Sequence, residues 1–150
     1  MSASTGPDDP AAKAPHVITE VARSAGVSSR TLRHYEAVGL LPATAVGVGG
    51  LRRYDDRALV RLQRILLLRG LGLGLHDIAR RLDDEGDDVV ALTAHLTWLE
   101  HERDRLARQL AAVRTTVAHV EHGEPLMAGE AFAGFASTRL SAADPPSAGR

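Results

Sequence analysis

The sequence predicts a mainly α-helical chain: a small helical domain that carries a β-hairpin, followed by one long helix suited to a coiled coil. Three observations lead there. The stretch VSSRTLRHYEAVGLL, Val27 to Leu41, reads as a short helix entered through serine and stopped by glycine. Behind it, two short extended segments are joined by a Gly-rich loop. Further on, Leu92, Leu96, Leu99, Arg103, Leu106, Leu110, Val113, Val117 and Val120 advance alternately by four and three, a heptad seam with Arg103 as its one breach.

Residues 1–15 lack apolar periodicity and carry three prolines, so a disordered tail is expected. The domain is placed at 16–82. Its first helix, residues 19–25, turns Val21, Ala22 and Ala25 inward and ends at Gly26. In the next helix Ser28 or Ser29 serves as N-cap, because its hydroxyl can accept from first-turn N–H groups. Leu32 and Tyr35 share a face, with Leu32 expected in the core, and Gly39 ends the helix. Helix, glycine turn, helix is the helix-turn-helix arrangement, whose second helix enters the DNA major groove. Ser29, Arg30, Thr31, Arg33, His34 and Tyr35 are therefore the candidate DNA-contacting residues on it.

Ala45-Val46 and Leu51-Arg52-Arg53-Tyr54 flank Gly47, Gly49 and Gly50, and two strands joined in this way form a wing. Side chains alternate along a strand, so one of Arg52 and Arg53 is expected to face phosphate while the other pairs internally. Tyr54 completes the candidate set, although packing is its simpler role. Asp55 caps a helix running to about Leu71, with Leu59, Leu62, Ile65 and Leu66 at helical spacing. Arg57, Arg61 and Arg64 are expected on its other side, some of them near a nucleic-acid backbone. A reversal at Gly70–Gly74 leads into a helix over Leu75–Leu82.

Residues 83–122 read as a charged linker and the coiled-coil dimerisation helix. From Val89 to His122 this helix would be roughly 50 Å long. So long and narrow a seam needs a partner helix, and a symmetric homodimer is the commonest solution. Leu92, Leu96, Leu99, Arg103, Leu106, Leu110, Val113 and Val117 are the dimerisation candidates, with Arg103 available to Glu100 or Glu102 of the partner. Trp98, just off the seam, is read as a packing residue. Residues 123–150 are expected to be mostly disordered, with a short amphipathic helix through Leu126, Met127, Ala131, Phe132 and Phe135.

Net charge of −1 hides an asymmetry. Residues 16–82 carry 11 Arg and 5 acidic side chains, and the remainder balances at −7. A basic domain joined to an acidic arm points to a polyanion as the partner of one part. All the positive charge of the domain is Arg, which can grip phosphate or guanine through two parallel N–H bonds.

Ile18-Thr19-Glu20-Val21-Ala22, Ala25-Gly26-Val27-Ser28, Arg30-Thr31-Leu32-Arg33-His34-Tyr35-Glu36, Gly39-Leu40-Leu41 and Arg52-Arg53-Tyr54 resemble the DNA-binding domain of MerR-type transcription regulators. The likeness continues through Leu62-Gln63-Arg64-Ile65 and Leu71-Gly72 to Ile78. It implies a winged helix-turn-helix dimer, joined by an antiparallel coiled coil, that binds and distorts promoter DNA so that RNA polymerase can engage it, as an activator does. In that family the residues corresponding to Arg52 and Arg53 contact the DNA backbone. Residues 123–135 resemble the junction at which the antibiotic-responsive TipA-type branch begins its ligand-binding domain. The effector region is thus expected to be truncated, and a small-molecule effector is left open.

Other chemistry finds little support. Cysteine is absent, which removes disulfides, thiolate nucleophiles and Cys metal sites. His119 and His122 are three apart without a third ligand, so they are read as surface histidines. GLGLG follows a helix and lacks dinucleotide-loop spacing. DDEGDD at 83–88 lacks the alternating ligands and terminal Glu of a calcium loop. No nucleophile–base pair stands out, so no enzyme, cofactor or metal is expected. Apolar runs such as Ile65–Leu68 are far too short to span a bilayer, and a cytoplasmic location is expected. The competing function is a coiled-coil interaction module whose helix-turn-helix does not bind DNA.

Overall fold

The computed structural model describes residues 9–135. The chain divides into two compact units, the first ending at Asp84 and the second beginning at Glu85. The first contains α1 (Pro10–Lys13), β1 (His16–Val17), α2 (Ile18–Ala25), α3 (Ser29–Ala37), β2 (Ala45–Val46), β3 (Arg52–Tyr54), α4 (Asp56–Gly70) and α5 (Leu75–Glu85). The second contains α6 (Asp88–His122) and α7 (Ala128–Ala131). The chain is thus mainly helical, with one small sheet.

Local chemistry sets the boundaries. Gly26 adopts φ 70°, so its N–H and that of Val27 turn back onto carbonyls of the last turn of α2. That left-handed turn starts α3 almost at once. Ser28, not Ser29, is the cap: its Oγ accepts from the Thr31 amide at 3.0 Å. Asp55 does the same for α4, accepting from the Ala58 amide at 2.8 Å. Asp87 caps α6 through the amides of Val89 and Val90.

The sheet has the order β1-β3-β2, all antiparallel. Ala45 pairs with Arg53 and Val46 with Arg52, which makes the expected wing. A 3₁₀ turn at Val48–Gly50 closes it, with Gly49 and Gly50 at φ 69° and 77°, a region that disfavours a Cβ. The third strand, β1, was not expected. It places His16 opposite Tyr54 and Val17 opposite Arg53. The disordered tail expected over 1–15 is correspondingly too long: Pro10–Lys13 is helical and Ala14 is buried. Residues 1–8 lie outside the described residues.

Leu32 of α3, Leu40 and Leu41 behind it, Ile65 of α4, Ile78 of α5 and Tyr54 of β3 form the centre of the core. Tyr54 is 0% exposed, and its hydroxyl has no hydrogen-bond partner among the described residues. Burial, then the Glu36 carboxylate, push its pKa up, while Arg52 and Arg33 pull it down.

In the second unit, α6 has 35 residues, about 52 Å at 1.5 Å per residue. Leu96, Leu99, Leu106, Leu110, Val113 and Val117 are all exposed on it. It ends at Gly123, φ 69°, whose amide bonds the His119 carbonyl. Within the C-terminal segment, the short amphipathic helix expected through Leu126–Phe135 is reduced to α7, and 123–135 folds back on α6. The disordered end expected beyond it, 136–150, lies outside the described residues.

Two stability measurements follow. Ser28→Ala should cost about 1 kcal/mol by urea unfolding, the usual loss for an N-cap hydroxyl. Tyr54→Phe should be neutral or stabilising, because an unpartnered buried hydroxyl contributes only a desolvation cost of about 1–3 kcal/mol. A clear destabilisation by Tyr54→Phe would mean that the hydroxyl is bonded in solution.

Candidate nucleic-acid interface

A nine-residue helix packed on a core can bury one stripe, and α3 buries Leu32 and Tyr35. The helical repeat then turns Arg30, Arg33 and His34 outward, and all three are exposed. Ser29 and Thr31 are half-buried beside them. Thr31 also belongs to the cap, with its hydroxyl 3.0 Å from that of Ser28.

Two of the sequence candidates fall away from this face. Tyr35, read as a donor to DNA, is 5% exposed and lies in the core cluster. Its burial follows from sharing a face with Leu32, three residues earlier. Tyr54 is likewise a core residue and presents no surface to a ligand.

The wing arginines are both tied inward, where the sequence suggested only one. Arg52 donates from Nε to Glu36 Oε2 at 3.1 Å and from Nη1 to the Gly50 carbonyl at 3.0 Å. One guanidinium thereby joins the recognition helix, strand β3 and the wing turn. Arg53 donates from Nη1 to the Ala14 carbonyl at 3.3 Å, fastening the segment before β1. A guanidinium carries five N–H donors, so each arginine still has donors for a phosphate. Glu36 was missed as part of this arrangement; the available signal was an acid on the helix that precedes a paired Arg-Arg.

The α4 arginines divide. Arg57 is exposed, but Arg61 donates from Nε to the Leu40 carbonyl at 2.6 Å, and Arg64 is 6% exposed. Arg64 is therefore not on the solvent side where the helical pattern put it, and Arg61 braces the loop after α3. Another unanticipated tie joins His16 Nε2 to Asp56 Oδ1 at 2.8 Å, linking β1 to the start of α4.

Elsewhere in the first unit, α2 and α4 enclose an open groove of about 530 Å³, lined by Val21, Ala25, Leu59, Leu62 and Leu66 with Glu20 and Gln63 among its polar groups. Among the described residues, no cluster of three potential metal ligands occurs, and no helix is long and apolar enough to cross a membrane.

On α6, Arg103 bonds Asp104 from Nε at 3.3 Å and Nη2 at 3.2 Å. Glu102, expected as one choice of partner for Arg103 of a second copy, is paired with Arg105 of its own helix. Leu92 is half-buried, and the rest of the seam is exposed.

Comparison with known proteins gives this architecture a family. Residues 17–85 match the family model described as MerR HTH family regulatory protein. The HTH-type transcriptional regulator SkgA of Caulobacter vibrioides is 41% identical over 121 residues, which is 80% of this chain and 48% of that protein. The HTH-type transcriptional activator TipA of Streptomyces coelicolor is 38% identical over 104 residues, 69% of this chain and 39% of that protein. The chain thus spans less than half the length of these two relatives. The crystal structure of SkgA from Caulobacter crescentus superimposes with a TM-score of 0.70 at 39% identity, covering 84% of this chain and 91% of that one. A basic recognition helix tied to its wing, a long heptad helix and that close structural match lead to one conclusion: the chain belongs to the MerR family of helix-turn-helix regulatory proteins.

Proposed function

We propose that this protein is a dimeric, sequence-specific DNA-binding transcription regulator. The observation that carries the reading is the exposed triad Arg30, Arg33 and His34 on a helix whose other face is fixed in the core. In this reading Arg30 and Arg33 reach base edges in the major groove, since bidentate Arg–guanine contacts are the commonest specific ones. Ser29 and His34 contact the flanking backbone. Arg52 and Arg53 offer their remaining donors to phosphates beside the groove, and Glu36 sets where Arg52 can reach. Tyr35 and Tyr54 act only by holding α3 and β3 in place.

Dimerisation rests on α6. A stripe of exposed leucines and valines along a helix of 35 residues is apolar surface that a single chain leaves in water. A second α6 running antiparallel would cover it. Two recognition helices would then meet successive major grooves, about 34 Å apart. Membership of the family adds the proposal that the dimer distorts promoter DNA and so helps RNA polymerase to engage it, the deformation being offset by phosphate contacts. A cytoplasmic location goes with that role.

The test is fluorescence anisotropy of the full chain on its own upstream region and on random duplex, at two salt concentrations. Tight, salt-dependent binding that prefers the upstream region supports the reading. Weak and equal binding to both would overturn it, and would favour a coiled-coil interaction module whose helix-turn-helix is idle. Arg30→Ala should relax discrimination at one base pair by about 1–3 kcal/mol. Arg52→Ala should weaken binding to all sequences and reduce the salt slope by about one. Equal loss on specific and random DNA for Arg30→Ala would remove its base-reading role.

A further inference from the structure

The wing ends in a turn without a charged side chain: Gly47, Val48, Gly49, Gly50 and Leu51. Hydrogen bonds close it. The Gly47 amide donates to the Leu51 carbonyl at 2.7 Å, and the Gly50 amide donates to the Gly47 carbonyl at 3.2 Å. Arg52 Nη1 holds the Gly50 carbonyl from the strand side. Val48 stands at the tip and is 99% exposed, and Val46 behind it is 56% exposed. Val46 is the cross-strand partner of Arg52. Such partners share a face of a hairpin, here the face on which Arg52 reaches Glu36 of α3. One valine among three glycines thus makes a slim apolar point on the hairpin that carries Arg52 and Arg53.

A valine offers nothing to a phosphate. It is also a poor anchor for a protein partner, since a stable interface buries about 800 Å² on each side and the side chains of one short turn fall far below that. The sugar walls and base edges of a DNA minor groove are apolar surfaces of the right size. The reach fits as well. A strand advances about 3.3 Å per residue, so Val48 lies about 7 Å beyond the rung of Val46 and Arg52. With Arg52 on a phosphate, that step carries the tip past the backbone ridge. The groove next to a major groove that holds α3 is a minor groove, about 6 Å wide. Glycines on both sides of Val48 leave only main chain to follow it in.

Such a contact has a chemical consequence. In the minor groove every base pair presents acceptors, and G·C alone adds a donor, the guanine N2 amino group. Valine has no atom to accept from it. A donor covered by an apolar side chain loses its water and gains no partner, which is costly. Val48 in the groove therefore penalises guanine through that amino group alone. Inosine lacks the group and keeps guanine's major-groove edge, so an I·C pair is like A·T to Val48 and like G·C to α3.

We infer that Val48 is a specificity-determining residue: the wing tip enters the minor groove that flanks the α3 site and disfavours guanine there. The inference rests on the proposed seating of the wing on DNA. It gives a sequence preference to an element otherwise assigned only phosphate contacts. The closed turn and the tie of Arg52 to Glu36 and Gly50 then hold the tip for that contact.

Hydroxyl-radical cleavage of the upstream region with the full chain bound locates the protected minor-groove sugars outside each half-site. Those positions are then set to G·C or to I·C, and anisotropy gives the Kd of wild type and of Val48→Thr on each duplex. Threonine keeps the shape of valine and adds a hydroxyl that can accept from the amino group, and far-UV circular dichroism checks the fold. The expected result is wild-type binding at least about fivefold tighter to the I·C duplex, with the ratio falling close to one for Val48→Thr. Absence of flanking protection, equal wild-type binding to both duplexes, or a preference that Val48→Thr retains each overturn the inference and leave the DNA-binding reading standing. Equal duplex binding together with lowered RNA polymerase transcription by Val48→Thr overturns it in favour of a protein contact. A chain that does not prefer its upstream region over random duplex overturns both.

Discussion

Everything on the proposed DNA face depends on the burial of Leu32 and Tyr35. A helix of nine residues has room for one inward stripe, and these two side chains take it. Their insertion between α2, the Leu40-Leu41 corner and β3 leaves Arg30, Arg33 and His34 no direction but outward. The same packing sets the helix axis relative to the sheet. Losing the Leu32 side chain would leave a cavity whose cost, about 2–5 kcal/mol, is a large share of a small domain's stability.

The wing is attached to that helix by the burial of Tyr54 in the same core and, nearer its turn, by a polar tie. Arg52 spans Glu36 on α3 and the carbonyl of Gly50 in the turn. An ion pair of this kind, partly open to water, contributes little to stability. Its value in this fold is geometric: a Gly-rich turn with two left-handed residues would otherwise swing freely at the end of two short strands. On the opposite edge, β1 and the Arg53–Ala14 bond hold the sheet from the N-terminal side. The wing that carries Arg52 and Arg53 is thereby tied to the helix that carries Arg30 and Arg33.

How much of this was legible in the sequence follows from the range of each interaction. Caps and stops act within a few residues, so Gly26, a serine before α3, Asp55 and the heptad seam could be read directly. Tyr35 could have been placed in the core by the same rule that put Leu32 there; its hydroxyl and its place among basic residues argued the other way. The ties of Arg52 to Glu36, Arg61 to Leu40 and Arg53 to Ala14 join residues 16, 21 and 39 positions apart. No local pattern encodes such pairings. A two-residue strand such as β1 has too few side chains for alternation to show. Gly134, which lies so close to α6 that a Cβ would meet the Arg105 carbonyl oxygen at 2.7 Å, is one of many glycines in the sequence, and only the fold distinguishes it.

The central claim is that the recognition helix and the wing engage DNA as one unit coupled through Glu36 and Arg52. A double-mutant cycle in specific DNA affinity, comparing wild type, Glu36→Ala, Arg52→Ala and the double variant, addresses it directly. The account predicts that Glu36→Ala weakens binding in the wild-type background and changes it no further once Arg52 is alanine. Additive losses, or a Glu36→Ala variant that binds as well as wild type, would contradict it.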